Sequence, residues 1–561
     1  MTSELCSCAM SSRAQSTWLF GPVSDVFLGA GLLYLLAIFG MTVSGFAVHE
    51  SMSPATVAIL ITIFSGTHYG TTLLRVYEHE AERRTYRVFT VYATVAMIAA
   101  LGGALYSPIA GSLLITIYLT WSPWHYTGQN YGISMMFLRR RGVDVTPRIK
   151  SWLHASFILS YVSVFLNFHF EGGISQTDPL GYTSGATSGF QFIGLGLPAV
   201  LRTWLLPAVG LGYVVTTFGS IAMLLRGSTL KAVSPALVLL ATQAAWFAVP
   251  HLSLYFDLDN HIPALNLKGD RNFQAYFLWA ALGHAIQYLW ITTYYARSDQ
   301  RWQGYGSFFT KAFVFGNAVW AAPVILFAPD VLGRPDFDFG LSLCVAAAVN
   351  LHHFVLDGAI WKLRNPKVAA VLLRNEASES AVAAPRNTNM WIRRVAWVSA
   401  SVFCIAKLVS IIEIDTRLPA ALADRDYASA EGILDRAGLY GRDSSTLRAD
   451  VANRLIKERQ QLAAIPHYWR SLELQPQADG YRQLGILLEL SQGTEQALRA
   501  WQQGLASFPE DLGLLRFAGN GLVKLRRYDD AVSLLEHANA IEPGDGDTEK
   551  ALAKARARSK R

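Results

Sequence analysis

Long apolar runs recur from residue 26 to residue 413, and they constrain the fold more than any other feature of this sequence. A helix needs about 20 mostly apolar residues to cross the hydrocarbon core of a bilayer. Segments that approach this length cover residues 26–48, 54–76, 87–107, 110–138, 151–170, 203–225, 233–255, 273–297, 307–328, 338–363 and 392–413. The sequence therefore predicts an all-α protein in which residues 26–413 form a polytopic membrane helix bundle of about eleven spans.

The charge content agrees with a membrane protein. Charged residues make up 16% of the 561 residues, whereas soluble domains usually carry about 25%. The net charge of +7 comes mostly from short loops between apolar segments, so it indicates topology rather than nucleic-acid binding. Most basic loops, such as the one holding residues 139–141, fall on the same side as the tail 1–25. Because basic loops stay cytoplasmic, we expect a multi-pass protein of the inner (cell) membrane with a cytoplasmic N-terminus and an extracytoplasmic C-terminal part.

Residues 414–561 differ from the rest of the chain, with more charge and few long apolar runs. Leu484-Gly485, Ala497, Trp501 and Pro509 are echoed 34 residues later by Ala518-Gly519, Ala531, Leu535 and Pro543. A weaker copy contains Ala464, Tyr468 and Pro476. This spacing resembles the tetratricopeptide repeat, in which small residues let paired helices pack closely and proline follows the second helix. The resemblance implies an α-solenoid that binds a protein partner on its concave face.

Histidine lies near the middle of several apolar segments, at His68, His125, His284, His352 and His353. An ionisable side chain at that depth is costly, and it is a functional candidate by default. If the N-terminus is inside, the four segments run in the same direction. The histidines then lie about 17 to 23 Å along them, at about 1.5 Å per residue. All five imidazoles are therefore predicted to share one layer of the membrane and to ligate a metal ion.

Each of three histidines has a polar residue four positions further along, on the same helix face. The pairs are His125 with Gln129, His284 with Tyr288, and His353 with Asp357. A hydrogen-bond partner on the second ring nitrogen fixes the tautomer of a metal-ligating histidine. We therefore expect Gln129, Tyr288 and Asp357 to orient the ligands. The pattern does not assign a catalytic residue.

Neutral imidazole suits iron, copper or zinc, and the scarcity of carboxylates and thiolates argues against magnesium and iron–sulfur clusters. A site inside the bilayer that acts on a lipophilic substrate favours non-haem iron with dioxygen. Haem is less favoured, because membrane cytochromes usually place two histidines about a dozen residues apart on one helix. Only His68 and His79 approach that spacing.

Three segments resemble one family. They are Phe64-Ser65-Gly66-Thr67-His68-Tyr69-Gly70, Trp124-His125-Tyr126-Thr127-Gly128-Gln129, and Tyr276-Phe277-Leu278-Trp279 leading to Gly283-His284. They are similar to segments of the bacterial integral-membrane beta-carotene dioxygenases of the bacteriorhodopsin-related-protein type. The resemblance implies a helix bundle that holds iron through His68, His125 and His284, with His352 or His353 as a further ligand. Thr71-Thr72 stands where that family has an acidic residue.

Two other functions remain open on the sequence. The first is a non-enzymatic membrane scaffold or transporter whose repeats recruit a protein partner. The second is a polyprenyl-donor glycosyltransferase, a class that often has about eleven spans and an outward repeat domain. Such an enzyme needs an acidic pair on a long first outer loop, and the loop at residues 49–53 is short. The favoured interpretation is an oxygenase that acts on a lipid or isoprenoid at a histidine-ligated metal centre.

Overall fold

The computed structural model describes residues 17–44, 52–77, 86–170, 190–255, 270–299, 302–361, 366–373 and 390–559. Within these ranges the chain forms 21 helices. The first part of the chain holds α1 (Pro22–Gly29), α2 (Leu32–Val43), α3 (Pro54–Tyr77), α4 (Val88–Tyr106), α5 (Pro108–Arg140), α6 (Pro147–His169), α7 (Ala199–Gly227), α8 (Leu230–Ser253), α9 (Asp270–Arg297), α10 (Tyr305–Leu326), α11 (Phe337–Ile360), α12 (Pro366–Leu373) and α13 (Met390–Ala423). The expectation of an all-α, multi-span protein is confirmed.

Eight of the described helices are long and apolar enough to cross a membrane, namely α3, α4, α6, α7, α8, α10, α11 and α13. The pair α1 and α2, bent by 55°, would add a ninth span. Two more helices, α5 with 33 residues and α9 with 28, are long enough but less apolar. They carry His125, Gln129, His284 and Gln287. The full count of eleven spans stays a prediction.

Three helices begin with the same local signal, a hydroxyl residue followed by proline. Ser53, Ser107 and Thr146 each accept a hydrogen bond from the backbone N–H three residues later. The following proline occupies the first helical turn, where its missing N–H leaves no donor unpaired. These signals define the starts of α3, α5 and α6 on the sequence.

The helices α3 and α10 approach each other closely through glycine residues. A Cβ on Gly70 would lie 1.8 Å from the carbonyl oxygen of Ala312, and one on Gly316 would lie 1.9 Å from that of Gly66. Membrane helices commonly use small residues in this way to bring their backbones together. Gly66 and Gly70 each lie two residues from His68, which is about 200° around the helix axis. Because the two glycines face α10, His68 lies on the opposite side of α3.

The helix α13 does not end where the last span was expected to end. It runs from Met390 to Ala423 without a break, so the predicted domain boundary at 413 falls within it. A π-helical turn over Glu413–Arg417 interrupts its regular hydrogen bonding. The membrane part and the C-terminal part are therefore joined by a continuous helix rather than by a linker.

The C-terminal part is an array of short paired helices. After α13 come α14 (Tyr427–Ala437), α15 (Ser445–Lys457), α16 (Gln461–Leu474), α17 (Ala478–Ser491), α18 (Thr494–Ser507), α19 (Leu512–Lys524), α20 (Tyr528–Ile541) and α21 (Gly546–Ser559). The close approach within two of the pairs, α17 with α18 and α19 with α20, involves the small residues that the sequence pattern marked. A Cβ on Gly485 would lie 1.9 Å from the Trp501 ring, and one on Gly519 would lie 2.7 Å from Leu535.

The turns between paired helices repeat as well. Arg425, Arg459, Gly493 and Arg526, which lie 33 or 34 residues apart, all have a positive φ. The first of them precedes α14, so the pattern begins one helix pair earlier than the sequence echoes indicated. The array therefore includes the end of α13 and starts directly where that helix leaves the bundle.

The array packs against the loop between α10 and α11. The Asp336 carboxylate accepts hydrogen bonds from the backbone N–H groups of Ser445, at 2.6 Å, and Phe339, at 2.5 Å. Arg470 donates to both oxygens of Asp330, at 2.6 and 2.7 Å. These contacts hold the array to the first turn of α11, which is the helix that carries His352 and His353.

Candidate metal site

Four helices bring four imidazole rings into mutual contact. The rings belong to His68 on α3, His125 on α5, His284 on α9 and His353 on α11. Ring centroids are 4.2 Å apart for His68 and His353, 5.1 Å for His353 and His125, 5.0 Å for His125 and His284, and 5.0 Å for His284 and His68. The four side chains thus form a closed ring, which we call the histidine cluster.

The cluster leaves nitrogen atoms buried without partners. The Nε2 atoms of His68, His125 and His353 have no hydrogen-bond partner. In His284, Nδ1 and Nε2 are both without a partner. Buried polar atoms in native proteins are nearly always hydrogen-bonded, and each exception requires an explanation. Four neighbouring imidazoles with free nitrogens form a donor set that a transition metal would satisfy.

Two overlapping groups have ligand atoms close enough for one ion. Nitrogens of His68, His284 and His353 lie within 4.8 Å of one another, and the same holds for ligand atoms of His125, His353 and Asp357. Both groups require His353, whose Nδ1 is already hydrogen-bonded and whose Nε2 has a single lone pair. One nitrogen lone pair serves one ion, so the two groups fit one metal position rather than two.

A carboxylate lies beside the cluster and is held there by hydrogen bonds. Asp357 Oδ2 is 3.4 Å from Nε2 of His353 and 3.8 Å from Nε2 of His125. Its other oxygen accepts from the Tyr288 hydroxyl at 2.6 Å. Tyr288 in turn accepts from the indole N–H of Trp361 at 3.0 Å. This network restricts the orientation of the one carboxylate that, among the described residues, could ligate an ion here or balance its charge.

The second ring nitrogen of two histidines is occupied by groups of α3. Nδ1 of His353 lies 3.1 Å from Oγ1 of Thr72, which also lies 2.7 Å from the Tyr288 hydroxyl. The ring of His68 bonds to the backbone of Ser65. Such contacts fix the tautomer and leave the opposite nitrogen free for a metal. Sequence spacing did not identify the role of Thr72, because its partner lies on another helix.

His352 is the one predicted ligand that lies outside the cluster. Its Nδ1 is 2.6 Å from the Tyr69 hydroxyl, and its Nε2 is 2.8 Å from Oγ1 of Thr94. Both nitrogens are therefore used in hydrogen bonds. Successive residues of a helix point about 100° apart, so His352 and His353 cannot both face the same centre.

Two of the residues expected to orient ligands have other partners. The Gln129 side chain donates to Oε1 of Gln287, at 3.1 Å, and to the carbonyl oxygen of His284, at 3.3 Å, rather than to the ring of His125. Tyr288 bonds to Asp357 rather than to the ring of His284. Asp357 does lie beside His353, as the four-residue spacing predicted, and it lies near His125 as well.

Irregular backbone precedes two of the clustered histidines. A π-helical turn covers Thr62–Gly66, and the α-helical segment that follows begins at Thr67. His68 is the second residue of that segment. Pro123 lies inside α5, two residues before His125. Proline in a helix interior removes one backbone hydrogen bond, and π-helical turns shift the direction of the side chains that follow. π-helical turns occur often at functional sites.

The chain was compared with protein-family models and with curated protein sequences, and neither comparison gives a match. The functional assignment therefore depends on the geometry of the histidine cluster.

Proposed function

We propose that the histidine cluster binds one iron ion and that the protein is an oxygenase acting on a lipid or isoprenoid. The observation that carries the proposal is the set of free imidazole nitrogens on His68, His125, His284 and His353, inside a helix bundle of membrane type. Four imidazoles with one nearby carboxylate suit a first-row transition metal. Bound iron would supply the binding and activation of dioxygen.

The surrounding residues support a site that works without bulk water. His353 and Thr72 are fully buried, and His284 is 2% exposed. Thr72 would hold His353 in the ligating tautomer, and Tyr288 would hold Asp357 beside it. His125 is the most accessible member, with its side chain 11% exposed. We infer that a lipophilic substrate approaches the centre from the His125 side.

Haem fits the cluster less well than a single ion. A porphyrin needs a flat space between its two axial ligands, wide enough for the whole macrocycle. The rings of His68 and His353 are only 4.2 Å apart, and His125 and His284 close the remaining sides. The compactness of the cluster therefore supports non-haem iron.

The test is metal analysis with an optical spectrum on the detergent-purified full chain, beside His353→Ala and His352→Ala. The two changes are chemically identical and adjacent on α11, but only His353 belongs to the cluster. We expect near-stoichiometric iron without a Soret band in the native protein, loss of most iron in H353A and retention in H352A. A Soret band would contradict the non-haem assignment. Equal metal content in all three proteins would contradict the ligand set.

A second function concerns the array. We propose that its paired helices are tetratricopeptide-like and bind a protein partner, as the recurrence of Gly485 with Trp501 and Gly519 with Leu535 supports. Basic loops support a cytoplasmic N-terminus and an extracytoplasmic array in the inner membrane. A reporter tag after Arg561 that is reached by a membrane-impermeant reagent in intact cells would agree with this orientation. Protection of the tag would contradict it.

A further inference from the structure

A lysine lies within the last long helix of the bundle, away from the histidine cluster. Lys407 is on α13, six residues before Glu413, which corresponds to about 9 Å along the helix at about 1.5 Å per residue. Glu413 itself bonds to Arg436 of the array, at 2.9 and 3.0 Å. The amine therefore lies a short distance inside the membrane on the side that holds the array.

The amine of Lys407 donates a hydrogen bond to an acceptor that is held in place. Nζ of Lys407 donates to Oδ1 of Asn317 at 2.8 Å. The amide nitrogen of Asn317 donates to the carbonyl oxygens of Thr62, at 3.1 Å, and Phe313, at 2.9 Å. Asn317 is fully buried, so its carbonyl oxygen is held toward the amine. An ammonium group has three N–H donors, and Asn317 accepts only one of them.

No carboxylate among the described residues forms an ion pair with Lys407. Arg442 is already paired with Asp415, at 2.8 and 3.1 Å. The indole N–H of Trp320, whose ring centroid lies 6.0 Å from Nζ, is buried and has no acceptor. A charged side chain inside a membrane is costly unless it is paired, and among the described residues the charge of Lys407 has no carboxylate partner.

We propose that Lys407, held in place by Asn317, and the indole N–H of Trp320 bind the phosphate group of an anionic lipid between α10 and α13. The free groups here are N–H donors, one of them positively charged, so they favour an anionic oxygen acid and exclude a metal cation. Lys407 is partly exposed. A lipid phosphate at the membrane surface is within reach of a long amine side chain one to two turns inside the membrane. Basic pockets between membrane helices bind anionic head groups elsewhere on the same physical basis. This site is independent of the proposed oxygenase function.

The experiment uses the full chain, purified in mild detergent and then reconstituted with phosphatidylglycerol or with phosphatidylcholine. Lipid retained by the protein is measured by native mass spectrometry, and the thermal unfolding midpoint is measured in each lipid. We expect retained phosphatidylglycerol and a higher midpoint in that lipid, since a ligand that binds only the folded state stabilises it. Lys407→Met should abolish both effects, whereas Lys407→Arg should preserve them.

Two further variants test whether a change in lipid binding is specific to this site. Lys311→Met makes the same chemical change toward the other end of α10, and it should leave the phosphatidylglycerol effect intact. Trp320→Phe keeps the aromatic ring and removes the N–H, so it should weaken lipid retention even if K407M fails to fold. Equal phosphatidylglycerol retention by native, K407M and W320F proteins would overturn the proposal. A midpoint raised equally by inorganic phosphate in phosphatidylcholine would show that the site takes free phosphate rather than a lipid head group.

Discussion

His352 and His353 show how strongly one position along a helix decides chemical role. Both are buried imidazoles in the same turn of α11, yet one has two hydrogen-bonded nitrogens and the other has a free Nε2. On α3, Tyr69 bonds to Nδ1 of His352 and Thr72 bonds to Nδ1 of His353, so α3 treats the two histidines alike. The difference comes from α4, where Thr94 bonds to Nε2 of His352. Hydrogen bonding by α4 therefore occupies His352 and leaves Nε2 of His353 free for a metal.

Thr72→Val should weaken metal binding about 10- to 100-fold, as expected when the partner of a ligating histidine is lost. Valine keeps the shape of threonine and removes the oxygen that contacts His353 and Tyr288. The measurement is a competition titration against a coloured chelator. The matched control is Thr71→Val, whose hydroxyl bonds only to the carbonyl oxygen of His68 within its own helix. An equal loss in both variants would mean that the effect is not specific to His353.

At this scale the sequence predicted part of the site. Polarity inside apolar segments identified His68, His125, His284 and His353, because an imidazole at that depth needs a partner. The role of Thr72 was not predictable, since a hydroxyl in a membrane helix can bond to its own backbone and usually does. The distinction between His352 and His353 was not predictable either, because it depends on the rotation of α11 about its axis.

Among the helices, the packing of α3 against α10 positions the ligand on α3. Gly66, Gly70 and Gly316 form this contact, and their missing side chains let the two backbones approach. Asn317 on α10 also bonds to the carbonyl oxygen of Thr62, which lies in the π-helical turn before His68. The position of His68 therefore depends on α10, which contributes no ligand.

Gly70→Ala should lower the thermal unfolding midpoint and reduce metal content together. The added methyl group would lie 1.8 Å from the carbonyl oxygen of Ala312, so the helices must separate. Overpacking of this kind costs about 1–3 kcal/mol, occasionally more. Gly102→Ala is the control, because a Cβ at Gly102 meets no atom within 4 Å. If G70A and G102A behave alike, the α3–α10 contact does not position His68.

The helices themselves were largely predictable from their apolar length and from the hydroxyl–proline signals at their starts. The end of α13 was not predictable from the sequence. Its apolar stretch stops near residue 413, but the helix continues to Ala423 because the array packs against it. Tertiary contact, rather than local sequence, decides that boundary. The early repeat around α14 was missed for a related reason, since Arg425 and Arg459 share a backbone conformation and not a conspicuous residue pattern.

For the whole molecule, the array and the bundle are joined at two places, the continuous helix α13 and the loop before α11. Asp336 is the most buried acid of this junction and is fully shielded from solvent. Burial raises its pKa to about 6, while the N–H groups of Ser445 and Phe339 act in the opposite direction. The nearby carboxylates Asp338 and Asp443 raise it further.

The junction should therefore be more stable at mildly acidic pH. A carboxyl group whose pKa is raised on folding contributes stability that is complete below its ordinary pKa, near 4, and is lost as the pH rises through about 6. Hydrogen exchange at the Ser445 amide should be better protected at pH 5 than at pH 7.5, after correction for the intrinsic rate. Asp336→Asn should remove most of this pH dependence. Protection that is independent of pH in the native protein, or unchanged in D336N, would contradict the prediction.

The four clustered histidines lie far apart along the chain, with His68 and His125 in its first quarter and His353 well past its middle. During synthesis the ligand set is therefore incomplete until α11 has been made and inserted beside α3 and α5. Once the bundle has closed, the buried nitrogens have no direct exchange with the aqueous phase. If the cluster binds iron as proposed, metal loading is then an event of biogenesis. Depriving cells of iron while the protein is being made would have a lasting effect, whereas chelating iron after assembly would act only as fast as the helices open.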